Sequence, residues 1–166
     1  MNLQTHLEYS IWASQRLVDV AATLTPEELT RDFGTADKSV LGSLVHIYAA
    51  DRVWMDRIEG KAPGKFMDPA VDMHLSVLEN EWPALLRKWT ETAATIDLTT
   101  RYSYRLLNGD AFESNFEEIV LHLVNHATHH RGQVSGFLRA MGKTPPPLDL
   151  IRYYRELAMK AAAATA

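Results

Sequence analysis

The chain has 166 residues, with 17 Lys and Arg against 21 Asp and Glu, seven histidines and no cysteine. That length holds one domain, residues 1–166, with its own apolar core, and 46% hydrophobic with 23% charged residues fits a globular protein. The missing cysteine excludes a disulfide scaffold, a thiolate zinc site, an iron–sulfur cluster and a cysteine nucleophile.

Leu3, Leu7, Ile11, Val18 and Ala22 recur at helical spacing and predict a first helix over residues 3–24. Thr25-Pro26-Glu27-Glu28 starts a short helix, with Thr25 as N-cap and Glu28 closing a capping box. A polar stretch, 32–38, leads to a second long helix from Ser39 to Glu59, stopped by Gly60. A Gly- and Pro-punctuated loop follows over 61–69. A third helix is predicted over 72–97, where Pro83 either kinks it or marks its late true start.

The pattern then changes. Arg101 to Leu107 has strand-forming residues, Asn108-Gly109 is a hairpin turn signal, and Asp110 to Glu113 supplies a return strand. Ser114 with Glu117, or Asn115 with Glu118, caps a fourth long helix that ends before Gly142. Pro145-Pro146-Pro147 breaks the chain, Leu148 to Lys160 forms a last short helix, and the Ala-rich tail is expected to fray. The expected architecture is all-α: a four-helix bundle with a small β-hairpin insertion.

Four histidines fall within nine residues: His122, His126, His129 and His130. On one helix the pairs 122/126 and 126/130 lie one turn apart, and 126/129 is also close enough to share an ion. Spacing alone leaves all three pairs open. The apolar stripe of Ile119, Leu123, Ala127, Val134 and Leu138 helps to choose, because His130 projects within its edge and His126 at its border. A metal site in the bundle core therefore uses His126 and His130. The competing reading is a set of structural or solvated helix histidines. A third ligand is needed, since catalytic zinc usually takes about three protein ligands. His46, mid-helix with no local charged partner, is the best placed. No His-Glu-x-x-His, Glu-x-x-His, Walker or Gly-x-Ser-x-Gly pattern occurs.

Three blocks of the chain resemble the DinB family. They are Tyr9-Ser10-Ile11-Trp12-Ala13-Ser14-Gln15-Arg16-Leu17, then Leu44-Val45-His46-Ile47 with Asp51-Arg52-Val53-Trp54-Met55. The third is His122-Leu123-Val124-Asn125-His126-Ala127-Thr128-His129-His130-Arg131-Gly132-Gln133, followed by Leu138-Arg139 and the Pro145-Pro146 segment. The resemblance runs over essentially the whole chain. It implies a four-helix bundle, typically a homodimer, with one divalent metal, nickel or zinc foremost, held by His46, His126 and His130.

Proteins similar in this way include enzymes that use a low-molecular-weight thiol as cosubstrate, for transfer or isomerisation. The resemblance therefore implies a metal-dependent S-transferase acting on small electrophiles. A hydrolase with an activated water and a non-catalytic metal-binding stress protein are the alternatives. Three neutral imidazoles leave an ion its full charge, to bind a thiol as thiolate or to lower the pKa of a bound water towards ~7.

The remaining expectations concern partners. No basic run exceeds two residues, so no nucleic-acid partner is expected, and a small-molecule substrate is. No segment approaches the ~18 apolar residues of a membrane span. The start, Met1-Asn2-Leu3-Gln4-Thr5-His6, lacks the pattern of a signal peptide, so the expected location is cytoplasmic. Trp12 and Trp54 are candidates for core or pocket. Glu118, one turn before His122, is expected to cap the helix or to pair with that imidazole rather than to act as a catalytic base, and His122 and His129 to be solvated or to support the ligands. Gly132, Gly136 and Ala140 form a smooth strip, while His6 and His74 receive no role.

Overall fold

The computed structural model describes residues 3–61, 65–106 and 109–164. Four long helices form the bundle: α1 (Leu3–Ala21), α3 (Val40–Ile58), α6 (Trp82–Thr95) and α7 (Phe116–Ala140). Helix α7 lies between α1 and α3, α6 closes the ring on the other side, and α1 and α3 also touch across it. Between them come α2 (Pro26–Thr30), α4 (Pro69–Asp72), α5 (Leu75–Asn80) and a hairpin of β1 (Arg101–Arg105) with β2 (Ala111–Asn115). The last helix, α8 (Leu150–Ala164), lies against α1.

Local chemistry sets most of these boundaries. Thr25 accepts from the Glu28 backbone N–H and Glu28 accepts from that of Thr25, the reciprocal cap expected for α2. At α7 the same box is made by Asn115 and Glu118, which decides between the two candidates; Glu118 is a cap. Ser39 caps α3 by accepting from the Gly42 N–H.

Two regions differ from expectation. The predicted helix over 72–97 is two pieces, α5 and α6, preceded by the short α4 at the end of the expected loop; Pro83 lies in the first turn of α6, so it marks a start and not a kink. The tail expected to fray is helical through Ala164. Alanine is the best helix former, and Glu156 ties α8 to α1 through Arg16 at 3.3 Å and the Trp12 indole at 3.1 Å. The hairpin pairs Arg101 with Asn115 and Tyr104 with Phe112, antiparallel, two residues further along the return strand than expected. Asn108 lies outside the described residues; Gly109 beside it has φ +95°, the left-handed region that suits a turn glycine.

The core has two main apolar clusters that share the long helices. Leu17, Leu44, Val45, Val134 and Leu138 belong to one, and Leu3, Leu7, Trp89, Phe116 and Ile119 to the other. On α7 the division falls between Leu123 and Ala127, at the turn that carries His126. Arg131 is buried opposite them and donates to the Ser10 carbonyl and to the hydroxyls of Ser10, Ser14 and Thr128, which accounts for a cation on the apolar stripe.

Candidate metal centre

Helix α3 carries His46 and helix α7 carries His126 and His130, and the α3–α7 contact brings all three together. Their candidate ligand atoms lie within 4.8 Å of one another. Ring centroids are 4.3 Å apart for His46 and His130, 4.5 Å for His126 and His130, and 5.0 Å for His46 and His126. His130 is buried and the other two are half-buried, in the order expected from the apolar stripe. His129 is exposed, with Nε2 3.3 Å from the Gln133 amide nitrogen. His122 stands one turn before His126, its ring 5.6 Å from Trp54.

Asp37 organises this group from behind. Its Oδ1 lies 3.2 Å from His46 Nδ1 and its Oδ2 3.1 Å from His130 Nδ1. His130 Nδ1 is also 2.8 Å from Gln133 Oε1, so its N–H is shared between two acceptors. With both Nδ1 atoms donating, the Nε2 atoms of His46 and His130 keep their lone pairs. This carboxylate–imidazole arrangement orients ligands and fixes their tautomer in metal sites.

The position of Asp37 comes from tertiary contacts. Lys38 adopts φ +62°, the Lys38 carbonyl accepts from Phe33 N at 2.7 Å, and the Asp37 carbonyl accepts from Ser39 N at 2.7 Å. Phe33 stacks on Phe137 of α7 at 4.5 Å, tying the loop to the helix that bears two of the histidines.

The donor set fits a metal. His46 Nε2 and His126 Nε2 face each other at 3.0 Å, while two nitrogens on one tetrahedral zinc stand about 3.3 Å apart. His126 Nδ1 is buried with no hydrogen-bond partner among the described residues. Burial, then the charges of the neighbouring imidazoles, push the His126 pKa down to about 3. Burial also holds His46 below its ordinary value, against the opposing pull of Asp37. Both therefore favour the neutral form, the one that binds a cation.

A cavity of about 520 Å³ opens beside His46 and His126. Ala50, Val53, Trp54 and Phe66 supply apolar wall, and Leu106 at the end of β1 shows that the hairpin borders it. Its remaining polar walls are His122 and Arg57. Phe66 sits 5.0 Å from the His46 ring, held there because Arg52 donates to its carbonyl at 3.2 Å while clasping Asp72 at 2.7 and 2.9 Å. Of the two tryptophans that were candidates for core or pocket, Trp54 lines this cavity and Trp12 packs on Tyr9 and Tyr153.

Sequence reasoning did not find Asp37, Arg57 or Phe66. For Arg57 a signal existed: His46, Ala50, Val53 and Arg57 follow one another at helical spacing along one face of α3. For Asp37 and Phe66, both in loops, none did.

The family model described as DinB family matches residues 1–160. The chain is 23% identical over 157 residues to Protein DinB of Bacillus subtilis (strain 168), covering 86% of this chain and 87% of that protein. A DinB-like protein from Bacillus cereus ATCC 10987 has a crystal structure similar to this fold, with a TM-score of 0.61 and 22% identity. That match covers 86% of this chain and 94% of the other. No helix among the described residues is long and apolar enough to cross a membrane. By its family match over nearly the full length, the chain belongs to the DinB family.

Proposed function

We propose that this chain is a metal-dependent enzyme with a mononuclear three-histidine site, transferring a low-molecular-weight thiol to a small electrophile. The observation that carries the reading is the convergence of His46, His126 and His130 within 4.8 Å beside an apolar cavity of about 520 Å³. The ion is a divalent transition metal, nickel or zinc, both of which accept imidazole ligands. Its contribution when bound is Lewis acidity: three neutral imidazoles leave the charge unquenched, which favours the deprotonated form of a thiol.

The chain's own residues do the rest. Asp37 holds two imidazoles in the tautomer that presents Nε2, and Trp54, Phe66 and Leu106 shield the reacting groups from water. With no cysteine in the protein, the sulfur comes from a diffusible thiol. The hydrolytic alternative needs a base near the cavity; no Asp or Glu among the described residues lines it, which leaves His122 as the group there that could serve. Asp37 faces the Nδ1 side of the rings instead. A small molecule, rather than nucleic acid or membrane, is the partner in this reading, and the assembly is a homodimer.

Elemental analysis of purified protein tests the site: about one transition metal per chain, lost in His126→Ala. A metal-free wild type with unchanged stability overturns it. Turnover of thiol–electrophile pairs, with esters and amides left intact, supports transfer; the reverse pattern makes the protein a hydrolase.

A further inference from the structure

Arg57 is the formal cation in the wall of the cavity, and it lacks an acidic partner. Among the described residues no carboxylate lies within salt-bridge distance of it, unlike Arg52 further up the same helix, which clasps Asp72. Its guanidinium lies 4.5 Å over the Trp54 ring and 5.0 Å from that of Tyr104. Nη2 donates to the Arg105 carbonyl at 3.2 Å, Nε is buried without a partner, and Nη1 has no bond among the described residues. A half-buried guanidinium fixed by two aromatic faces and one carbonyl, with donors to spare, is a preorganised anion receptor.

Its surroundings decide which face is used. Arg57 also borders a hollow of about 770 Å³ under the hairpin, but the charged groups that line it with Arg57 are already paired, Glu113 with Arg101 at 2.7 Å. Lys61 and Arg105, the other cations there, are engaged by Glu59 and by the Gly109 carbonyl. The cavity beside the histidines has no acidic residue in its lining. Along α3 the Trp54 ring that carries the guanidinium is eight residues from His46, about 12 Å of helix. Side chains on a helix lean toward its N-terminus, so Arg57 reaches back toward the imidazoles.

We propose that this cavity binds a small amphipathic carboxylate, with its carboxylate on Arg57, its apolar body against Trp54, Phe66 and Leu106, and its far end at the imidazole group. The inference names a substrate class for the proposed enzyme and rests on that reading only for what happens at the far end. Shape and apolar wall select the body, and the guanidinium selects the charge.

The test is binding of 4-phenylbutanoate and its neutral amide to the full chain, by calorimetry, once loaded with zinc and once after chelation. The chelated arm removes any direct bond between carboxylate and ion. Wild type is expected to bind the acid at least about tenfold more tightly than the amide in both states. Arg57→Gln should bring the acid down to the level of the amide, and Arg57→Lys should restore part of the difference. Equal binding of acid and amide by the chelated wild type overturns the proposal without any variant. So does a preference that survives in Arg57→Gln. Loss of zinc binding is a separate outcome: it sinks the metal reading and leaves the acid preference standing.

Discussion

The carbonyl oxygen of Asp37 occupies the space next to Gly42 so closely that a β-carbon there would lie 1.9 Å from it. Helix α3 can admit the loop that aims Asp37 at His46 and His130 only because residue 42 has no side chain. A backbone atom is the obstacle, so rotation of a side chain offers no relief.

Gly42→Ala should therefore act at a distance. Alanine favours the helix, but the loop must move, and overpacking of this kind costs about 1–3 kcal/mol. We expect a lower unfolding midpoint and weaker zinc binding, measured by denaturant titration and by competition with a chromophoric chelator. A stable protein with wild-type zinc affinity would show that the Asp37 loop can shift without consequence.

Asp37→Asn keeps the shape but supplies a single acceptor to two imidazoles. Removing such an outer partner typically lowers metal affinity about 10- to 100-fold. That loss should be seen in chelator competition, with helicity by circular dichroism unchanged. In combination with Gly42→Ala the losses should fall short of additive, because both act through one carboxylate.

Arg52 holds the far wall of the cavity. Asp72, whose side chain is 3% exposed, is left without its charged partner in Arg52→Gln. Breaking a buried pair on one side costs about 3 kcal/mol, and the partial exposure of Arg52 places the value near that lower bound. Urea unfolding should register it. Phe66, released from its backbone clamp, should also gain mobility, visible as a weaker contact with the His46 ring in nuclear magnetic resonance.

Asp51 gives stability a pH dependence of its own. Burial raises its pKa from 3.8 to about 7, while the Trp82 indole, donating at 2.8 Å, and Arg131 oppose the rise. The folded protein holds the proton where the unfolded chain releases it. Its stabilising effect is thus fully present below about pH 4 and lost as pH rises through about 7. Asp51→Asn, which can still accept from Trp82, should flatten that decline. Thermal melts across this range should show a smaller drop than in wild type; parallel profiles would contradict the assignment.

Much of this protein was legible without coordinates, wherever the information is local. The capping pair at Thr25 and Glu28, the strand-forming run ending in the hairpin, and the shared face of His126 and His130 follow from helix period, cap chemistry and side-chain preference within a few residues. His46 was placed by its position on a second helix, and the structure brings it to the other two.

What the tertiary structure decided is where loops deliver their side chains. The segment 32–38 reads as a polar connection, and no period tells which of its residues turns inward. Asp37 does so because Gly42 makes room, Lys38 takes a left-handed turn and Phe33 anchors the loop on Phe137. Phe66 and Leu106 reach the cavity for similar reasons, through a clamp from Arg52 and the docking of the hairpin on α3. Seven histidines and no cysteine determined by themselves that no thiolate of this chain holds a metal and that any reacting thiol is borrowed. Only folding, by setting one carboxylate against two imidazoles from separate helices, determined that Nδ1 of His46 and of His130 is engaged and Nε2 is left for an ion.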